Sequence, residues 1–130
     1  MADVIKVVDN GLGIITNLLS GIGGTPPRYI EWGTGATDAT DSDTDTQTQG
    51  AHEGRTTGTM TRQATGGTSN DTFQVVGTIT CLTGAKGIQE ATLFDAATSG
   101  TLFLRGTFDL INVNVADSIE FTIRTTFDQA

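Results

Sequence analysis

The sequence predicts an all-β protein with a single β-sandwich or jelly-roll-like domain, preceded by a short N-terminal arm and helix. Three observations indicate this class. Threonine and glycine are abundant while only 17% of residues are charged, and β-branched threonine suits a half-buried pleated surface. Apolar and polar residues alternate in several short runs, which is the period of a β-strand. Turn-forming residues separate these runs at short intervals, as in two-sheet sandwiches.

The N-terminal part, residues 1–24, is predicted to be the arm and helix, and residues 25–130 the sandwich domain. A β-like apolar run covers Val4–Val8. Apolar residues then recur at helical spacing: Leu12, Ile15, Leu18, Leu19 and Ile22. Asp9 or Asn10 is the expected N-cap. Gly11 and Gly13 weaken the helix by about 1 kcal/mol each, so it must dock either on its own domain or on a neighbouring subunit.

Strands of the sandwich are predicted wherever residues alternate between turn signals. They are Arg28–Thr34, Arg55–Gln63, Thr72–Leu82, Ile88–Phe94, Thr101–Phe108 and Ser118–Phe127. One face of the third run is expected to hold Phe73, Val75, Gly77, Ile79 and Cys81. The fourth and fifth runs are expected to pair as a hairpin, and Asp109–Val115 is expected to run through a bend to Asp117. Tyr29 and Trp32 have opposite parity in the first run, so one of them is expected to point outward.

The longest irregular segment is Gly35–Gly54, here named the acidic loop. It carries Asp38, Asp41, Asp43 and Asp45 and has no apolar anchor beyond alanine, which predicts a surface loop with some mobility. The alternation from Asp41 to Asp45 has the form of the opening of a calcium loop. However, an EF-hand needs glycine where Thr46 stands and glutamate where His52 stands. A solvated acidic loop is therefore favoured over a cation site, which stays the alternative.

Catalytic chemistry has few candidates in this chain. His52-Glu53 has no second histidine at the spacing of a zinc-binding helix. Cys81 with His52 is the only pairing of a nucleophile with a histidine base, and it would require a cysteine in a strand core to reach a polar loop. The serines lack the flanking pattern of a nucleophile elbow. We therefore predict a protein that is not an enzyme, with no catalytic, cofactor-binding or metal-binding residues.

The charge balance limits the partners that this protein can have. Its formal net charge is −8, and its seven lysines and arginines are scattered along the sequence. An acidic surface repels phosphate backbones, so direct binding to nucleic acid is disfavoured. No apolar run reaches the length of a membrane span, and the first residues lack the pattern of a signal peptide. We expect a soluble protein made in a cytoplasm, with no membrane partner.

Four segments of the sequence carry a resemblance to a known group of proteins. They are Tyr29-Ile-Glu-Trp-Gly-Thr-Gly-Ala-Thr, Thr72-Phe-Gln-Val-Val-Gly-Thr-Ile, the run from Ile88 to Phe108, and the ending Val115-Ala-Asp-Ser-Ile-Glu-Phe-Thr-Ile. These segments resemble small virion proteins of tailed bacteriophages, the capsid cement or decoration proteins, whose relatives are often labelled tail-fibre-like. The resemblance covers roughly Gly11 to the C-terminus. The acidic loop is the segment that differs from the pattern of this family.

The resemblance implies a β-sandwich module on the outer capsid surface of a virion, made in the host cytoplasm and without enzymatic activity. Its expected partners are the major capsid protein and other copies of itself, with a trimer favoured. Candidate contact residues are Val4, Ile5, Val7, Leu12, Ile15, Leu18, Leu19, Tyr29 and Trp32. The alternatives are a tail or fibre module that mediates assembly or binds a host receptor or glycan, and a small enzyme such as a cell-wall hydrolase. The enzyme would need a polar cleft with perturbed carboxylates or a metal.

Overall fold

The computed structural model describes residues 3–46 and 53–128, which form eight strands and one helix. The elements are β1 (Val4–Val7), α1 (Asp9–Ser20), β2 (Tyr29–Gly33), β3 (Thr56–Thr57), β4 (Thr59–Gln63), β5 (Thr72–Thr80), β6 (Lys86–Phe94), β7 (Leu102–Val113) and β8 (Ser118–Thr126). The larger sheet has the strand order β1-β7-β6-β2-β3, and the smaller has the order β4-β5-β8. All of the pairings are antiparallel. This architecture confirms the predicted all-β sandwich with a short helix.

The core lies between the two sheets and closes at one end against the helix. The smaller sheet supplies Val75 and Ile79, and Cys81 follows directly after β5. The larger sheet and the helix supply the rest: Ile14, Ile30, Trp32, Ile88, Leu93, Phe103, Leu104 and Val113. The predicted inward face of β5 is thereby confirmed, because three of its members are buried and Phe73 packs against the same cluster.

The run Arg55–Gln63 is not the single strand that its alternation predicts. It divides at Gly58 into β3, which joins the larger sheet, and β4, which joins the smaller. A Cβ atom on Gly58 would lie 2.3 Å from the Val75 side chain and 2.9 Å from the Arg28 carbonyl oxygen. The chain can cross between the sheets here because glycine lets the backbone approach this closely.

The predicted hairpin is confirmed, but both of its strands are longer than expected. β6 pairs with β7 from Phe94–Leu102 to Lys86–Val113, with a register shift between Ile88 and Glu90. The expected bend before Asp117 is present as a turn at residues 115–116, but it begins later than predicted, because β7 continues as far as Val113. The long strand stays paired since β6 also begins earlier than its apolar pattern indicates.

Helix α1 docks on its own chain through one side of its apolar stripe. Val8 is the N-cap and makes no side-chain capping bond, so the expected cap at Asp9 or Asn10 is wrong. The buried helix residues are Gly11 and Ile14. A Cβ on Gly11 would lie 2.3 Å from the carbonyl oxygen of Phe103. Gly11 therefore permits helix and strand to touch, which offsets its low helix propensity.

The close contact at Gly11 predicts that alanine substitutions at two glycines of α1 change the stability in opposite directions. Gly11→Ala should destabilise the fold by about 1–3 kcal/mol, because the added methyl group meets backbone that cannot rotate away. Gly13→Ala is the matched control: its Cβ would meet nothing within 4 Å, so it should stabilise the helix by about 1 kcal/mol. Urea unfolding of the two variants measures both changes. Equal effects of the two substitutions would contradict the close approach at Gly11.

Candidate functional site

An exposed apolar surface lies at one end of the sandwich, beside α1. A groove there is lined by Ile14, Ile15, Leu18, Leu19, Pro26, Pro27, Phe73, Phe103 and Phe127. Leu19 is 82% exposed and Phe127 55% exposed at its rim, and Ile22 just beyond the helix is 79% exposed. We call the groove together with Ile22 the apolar end. Large apolar side chains that are grouped and exposed mark surfaces that bind other molecules.

The helix produces this exposure because it packs through its smallest residue. Gly11 and Ile14 face the domain, so the apolar positions on either side of them are left open to solvent. Leu12 is exposed as well, while Ile15 is half-buried. The exposed leucines of the helix therefore form an apolar surface that its own domain leaves uncovered.

The other predicted contact residues lie elsewhere in the fold. Val4, Ile5 and Val7 belong to β1, an edge strand of the larger sheet that pairs with β7. Tyr29 is half-buried and packs against a small cluster on the face of the larger sheet opposite to the main core. Trp32 is fully buried in the main core, so its side chain offers no surface to a partner. The expectation that one of the two aromatic residues points away from the core is confirmed for Tyr29.

A second groove follows the open side of the sandwich between β1 and β8. Its walls come from both edge strands and its floor from β6 and β7. The residues that line it are Asp3, Ile5, Ala91, Gly106, Thr107, Phe108, Phe121, Thr122, Ile123 and Arg124. The rings of Phe108 and Phe121 lie with their centroids 6.3 Å apart across the two sheets. The free edges of both sheets thus meet at one accessible seam.

The outer face of the larger sheet carries a buried ion-pair network that composition alone does not predict. Arg105 donates from Nε to Glu90 at 2.9 Å, from a terminal nitrogen to Asp43 at 3.0 Å, and from the other to the Thr37 carbonyl at 2.9 Å. The second carboxylate oxygen of Glu90 accepts the Gly35 amide at 2.6 Å. The Arg105 and Glu90 side chains are 1% and 0% exposed. Arg105 thus joins β7 to β6 through Glu90, and joins both strands to the acidic loop through Asp43.

This network changes the interpretation of the acidic loop. Burial acts to raise the pKa of Asp43, but hydrogen bonds from the Thr40 amide and hydroxyl and from Arg105 outweigh it, so the pKa lies below its usual value. Ala39 and Thr46 are also buried against the sheet. The described part of the acidic loop is therefore a surface loop, as predicted, since most of its residues are exposed. It is nevertheless anchored to the sheet by the bond from the buried Arg105 to Asp43, which the loop's own sequence does not indicate.

A second buried carboxylate lies where the acidic loop ends. Glu53 accepts hydrogen bonds from Trp32 Nε1 at 3.2 Å, Lys86 Nζ at 2.6 Å, the Leu82 amide at 3.1 Å and the Thr83 hydroxyl at 3.3 Å. Its side chain is 1% exposed. Burial acts to raise its pKa, but the bonds from Lys86, Leu82 and Trp32 prevail, so the pKa of Glu53 is lowered.

These acidic residues are held by partners within the protein rather than arranged for a ligand. Asp41 forms an ion pair with Lys6 at 3.7 Å, and Asp45 accepts the Thr46 amide at 2.8 Å. Within residues 3–46 and 53–128, no group of three or more His, Cys, Asp or Glu side chains is placed to hold a metal ion. Cys81 is buried and bonds the Gly84 carbonyl. The proposed pairing with His52 lies outside the described residues.

Comparisons with protein-family models, with curated proteins and with solved structures found no match to this chain. Among the residues that the structure describes, none forms a helix with both the length and the apolar character that a membrane span requires. The two grooves and the sequence segments that carry the resemblance are therefore the features that bear on function.

Proposed function

We propose that this chain is a structural protein of a bacteriophage virion, a cement protein that binds the outer face of the major capsid protein shell. The observation that carries the proposal is the apolar end. It presents large exposed apolar side chains on a helix that is already docked on its own domain. Such a surface is suited to burial against another protein. In this role the chain would stabilise the shell against the internal pressure of packaged DNA.

The attachment is proposed to form at the apolar end rather than through the whole N-terminal arm. Leu18 and Leu19 border the groove, and Leu12 and Ile22 extend the exposed apolar surface. A partner side chain seated between the helix and Phe127 would desolvate these residues together. Contacts of this kind are individually modest, but many equivalent sites on one shell strengthen retention through avidity.

The charge of the protein supports a position on the outside of the shell. With a formal net charge of −8, the protein is repelled by packaged DNA. The acidic loop contributes to this charge and is held against the sheet by Arg105. A negatively charged, anchored outer surface fits a location away from the genome.

A tail or fibre module remains the second candidate, because the same apolar end could attach to a tail protein instead of a shell. Imaging of virions separates the two roles. Copies distributed over the entire shell support the cement role, whereas copies confined to a single vertex support the tail role. Nothing in the described geometry favours a receptor or glycan, which would need an exposed aromatic platform.

The attachment surface predicts a strong effect for Leu19→Glu. Leu19 is exposed in the free protein, so the variant should fold normally. It should bind shells assembled without this protein at least about tenfold more weakly, because the buried contact would lose its apolar area and gain a charge. Val115→Glu is the matched control, since Val115 is 57% exposed in the connection between β7 and β8. Co-sedimentation with the shells measures both; equal binding of the two variants would reject the apolar end as the attachment site.

A further inference from the structure

Strand β8 is the longest free edge among the strands that the structure describes. It has nine residues and pairs only with β5, whereas the other edge strands β1, β3 and β4 have four, two and five residues. Proteins usually protect long edges with proline, a bulge, an inward-pointing charge or exposed charged side chains. β8 has no proline, its register with β5 is continuous, and its inward residues are Ile119, Phe121, Ile123 and Thr125. Its exposed charges, Glu120 and Arg124, are of opposite sign, so they do not repel a second copy in every alignment.

The hydrogen bonds at the two ends of β8 define which backbone groups point to the free edge. Cys81 donates to the Asp117 carbonyl at 2.8 Å, and Phe127 donates to the Asp71 carbonyl at 2.9 Å. In an antiparallel ladder the bonded positions recur every second residue. The odd-numbered residues of β8 therefore bond to β5, and the even-numbered residues present their amide and carbonyl groups at the edge.

The even-numbered residues also have a self-complementary sequence. The middle residue of β8 is Thr122, and Glu120 and Arg124 lie two positions on either side of it. A second copy aligned antiparallel about Thr122 would place Glu120 opposite Arg124 of that copy, twice by symmetry. Both side chains are exposed. Arg124 bonds Gln74 through Nε at 2.7 Å, which leaves its terminal nitrogens for a carboxylate.

We propose that β8 pairs with β8 of a second copy, joining the two smaller sheets into one sheet with the order β4-β5-β8-β8-β5-β4. The two-fold alignment uses the whole strand, because Ser118 falls opposite Thr126 of the second copy. It also covers the seam, where Phe121 and Ile123 are half-buried. Edge pairing of this kind supplies backbone hydrogen bonds, and the cross-strand charges fix the register.

This interface is isologous, since the same surface serves both copies. It therefore predicts a dimer, whereas the resemblance to cement proteins favours a trimer. The inference depends on the edge of β8 alone, and the proposed function depends on the apolar end. Loss of dimerisation and loss of shell binding are consequently separate results, measured on different variants.

Charge exchange tests the alignment directly. Sedimentation of the full chain over a wide concentration range should show a species of twice the 13.6 kDa protomer mass. Glu120→Arg and Arg124→Glu each place like charges opposite one another twice, so each should raise the dimer Kd about tenfold or more. The double variant Glu120→Arg with Arg124→Glu restores opposite charges and should return the Kd to near the original value.

Cross-linking tests the position of the two-fold axis. Thr122→Cys should be joined efficiently between copies by a short thiol-reactive cross-linker, because the two residues face each other across the axis. Thr61→Cys on the opposite edge of the same sheet is the control, and Cys81 is buried and does not compete. A monomer at all concentrations, an oligomer that both single charge reversals leave unchanged, or equal cross-linking at Thr61 would overturn the proposal.

Discussion

Replacement of Arg105 by methionine is expected to destabilise the fold by about 3–5 kcal/mol. Methionine fills a similar volume, but it leaves Glu90 as a fully buried carboxylate without its cation. Removing one partner of a buried ion pair carries this cost because the remaining charge cannot be solvated. A domain of this size has a total stability of only about 5–15 kcal/mol. The variant should therefore be partly unfolded under conditions where the original protein is folded.

Urea unfolding followed by the fluorescence of Trp32, the only tryptophan, measures this loss. Arg62→Met is the matched control, because Arg62 is an exposed arginine on edge strand β4 and surface substitutions usually change stability by less than about 0.5 kcal/mol. Hydrogen exchange should additionally show faster exchange of the Gly35 amide, which bonds Glu90. Similar unfolding midpoints for the two variants would contradict a structural role for Arg105.

A double variant separates the ion pair from simple packing. Glu90→Gln removes the charge that Arg105→Met would leave behind, so the double variant should be less destabilised than the sum of the two single variants. The expected coupling is about 1–3 kcal/mol, the range for residues within one hydrogen-bonded network. Additive losses would show that Glu90 and Arg105 contribute independently.

Alternation predicted the parts of the fold in which one sheet face meets the core. In β5 the inward positions are buried and the predicted face is the observed one. In β6 and β7 the hairpin pairing is also as expected. Local pattern is sufficient in these strands because burial on one side imposes a period of two.

The alternation of apolar and polar residues could not predict the crossing between sheets at Gly58 or the anchoring of the acidic loop. Each depends on residues distant in sequence: Gly58 on Val75 and Arg28, and the loop on Arg105. A usable signal was nevertheless present. Arg105 lies within the apolar run Leu102–Leu104 and Gly106–Phe108, and a charge inside a buried strand needs a buried partner.

The sequence places candidate contact residues on the N-terminal helix, and their contact with a partner stays a prediction. The N-terminal helix does carry the exposed apolar surface, and Leu19 is its most exposed large residue. The sequence could not reveal that Gly11 forms the docking face, because glycine has no apolar side chain to mark it. Trp32 was a poor candidate since alternation assigns it the same face as Ile30, which is also in the core.

Replacement of Glu53 by glutamine is expected to cost about 2–4 kcal/mol at neutral pH, because the buried charged acceptor of several hydrogen bonds is lost. The neutral amide also directs an N–H group toward donors that include Lys86 and Trp32. The loss should appear as a lower urea midpoint. Asp38→Asn, at an exposed position of the acidic loop, is the control and should leave the midpoint nearly unchanged.

The same substitution should weaken the dependence of stability on pH. The pKa of Glu53 in the folded protein lies below its ordinary value of 4.5, so the folded state favours the ionised carboxylate. Its contribution to the free energy of unfolding is therefore fully present above about pH 4.5 and is lost as the pH falls through the lowered pKa. Glu53→Gln has no such group, and the stability difference between the two proteins should shrink as the pH decreases through this window. Unfolding curves recorded from neutral to acidic pH measure the difference; a gap that stays constant or widens on acidification would show that the Glu53 carboxylate is not stabilised in its ionised form by Lys86, Leu82 and Trp32.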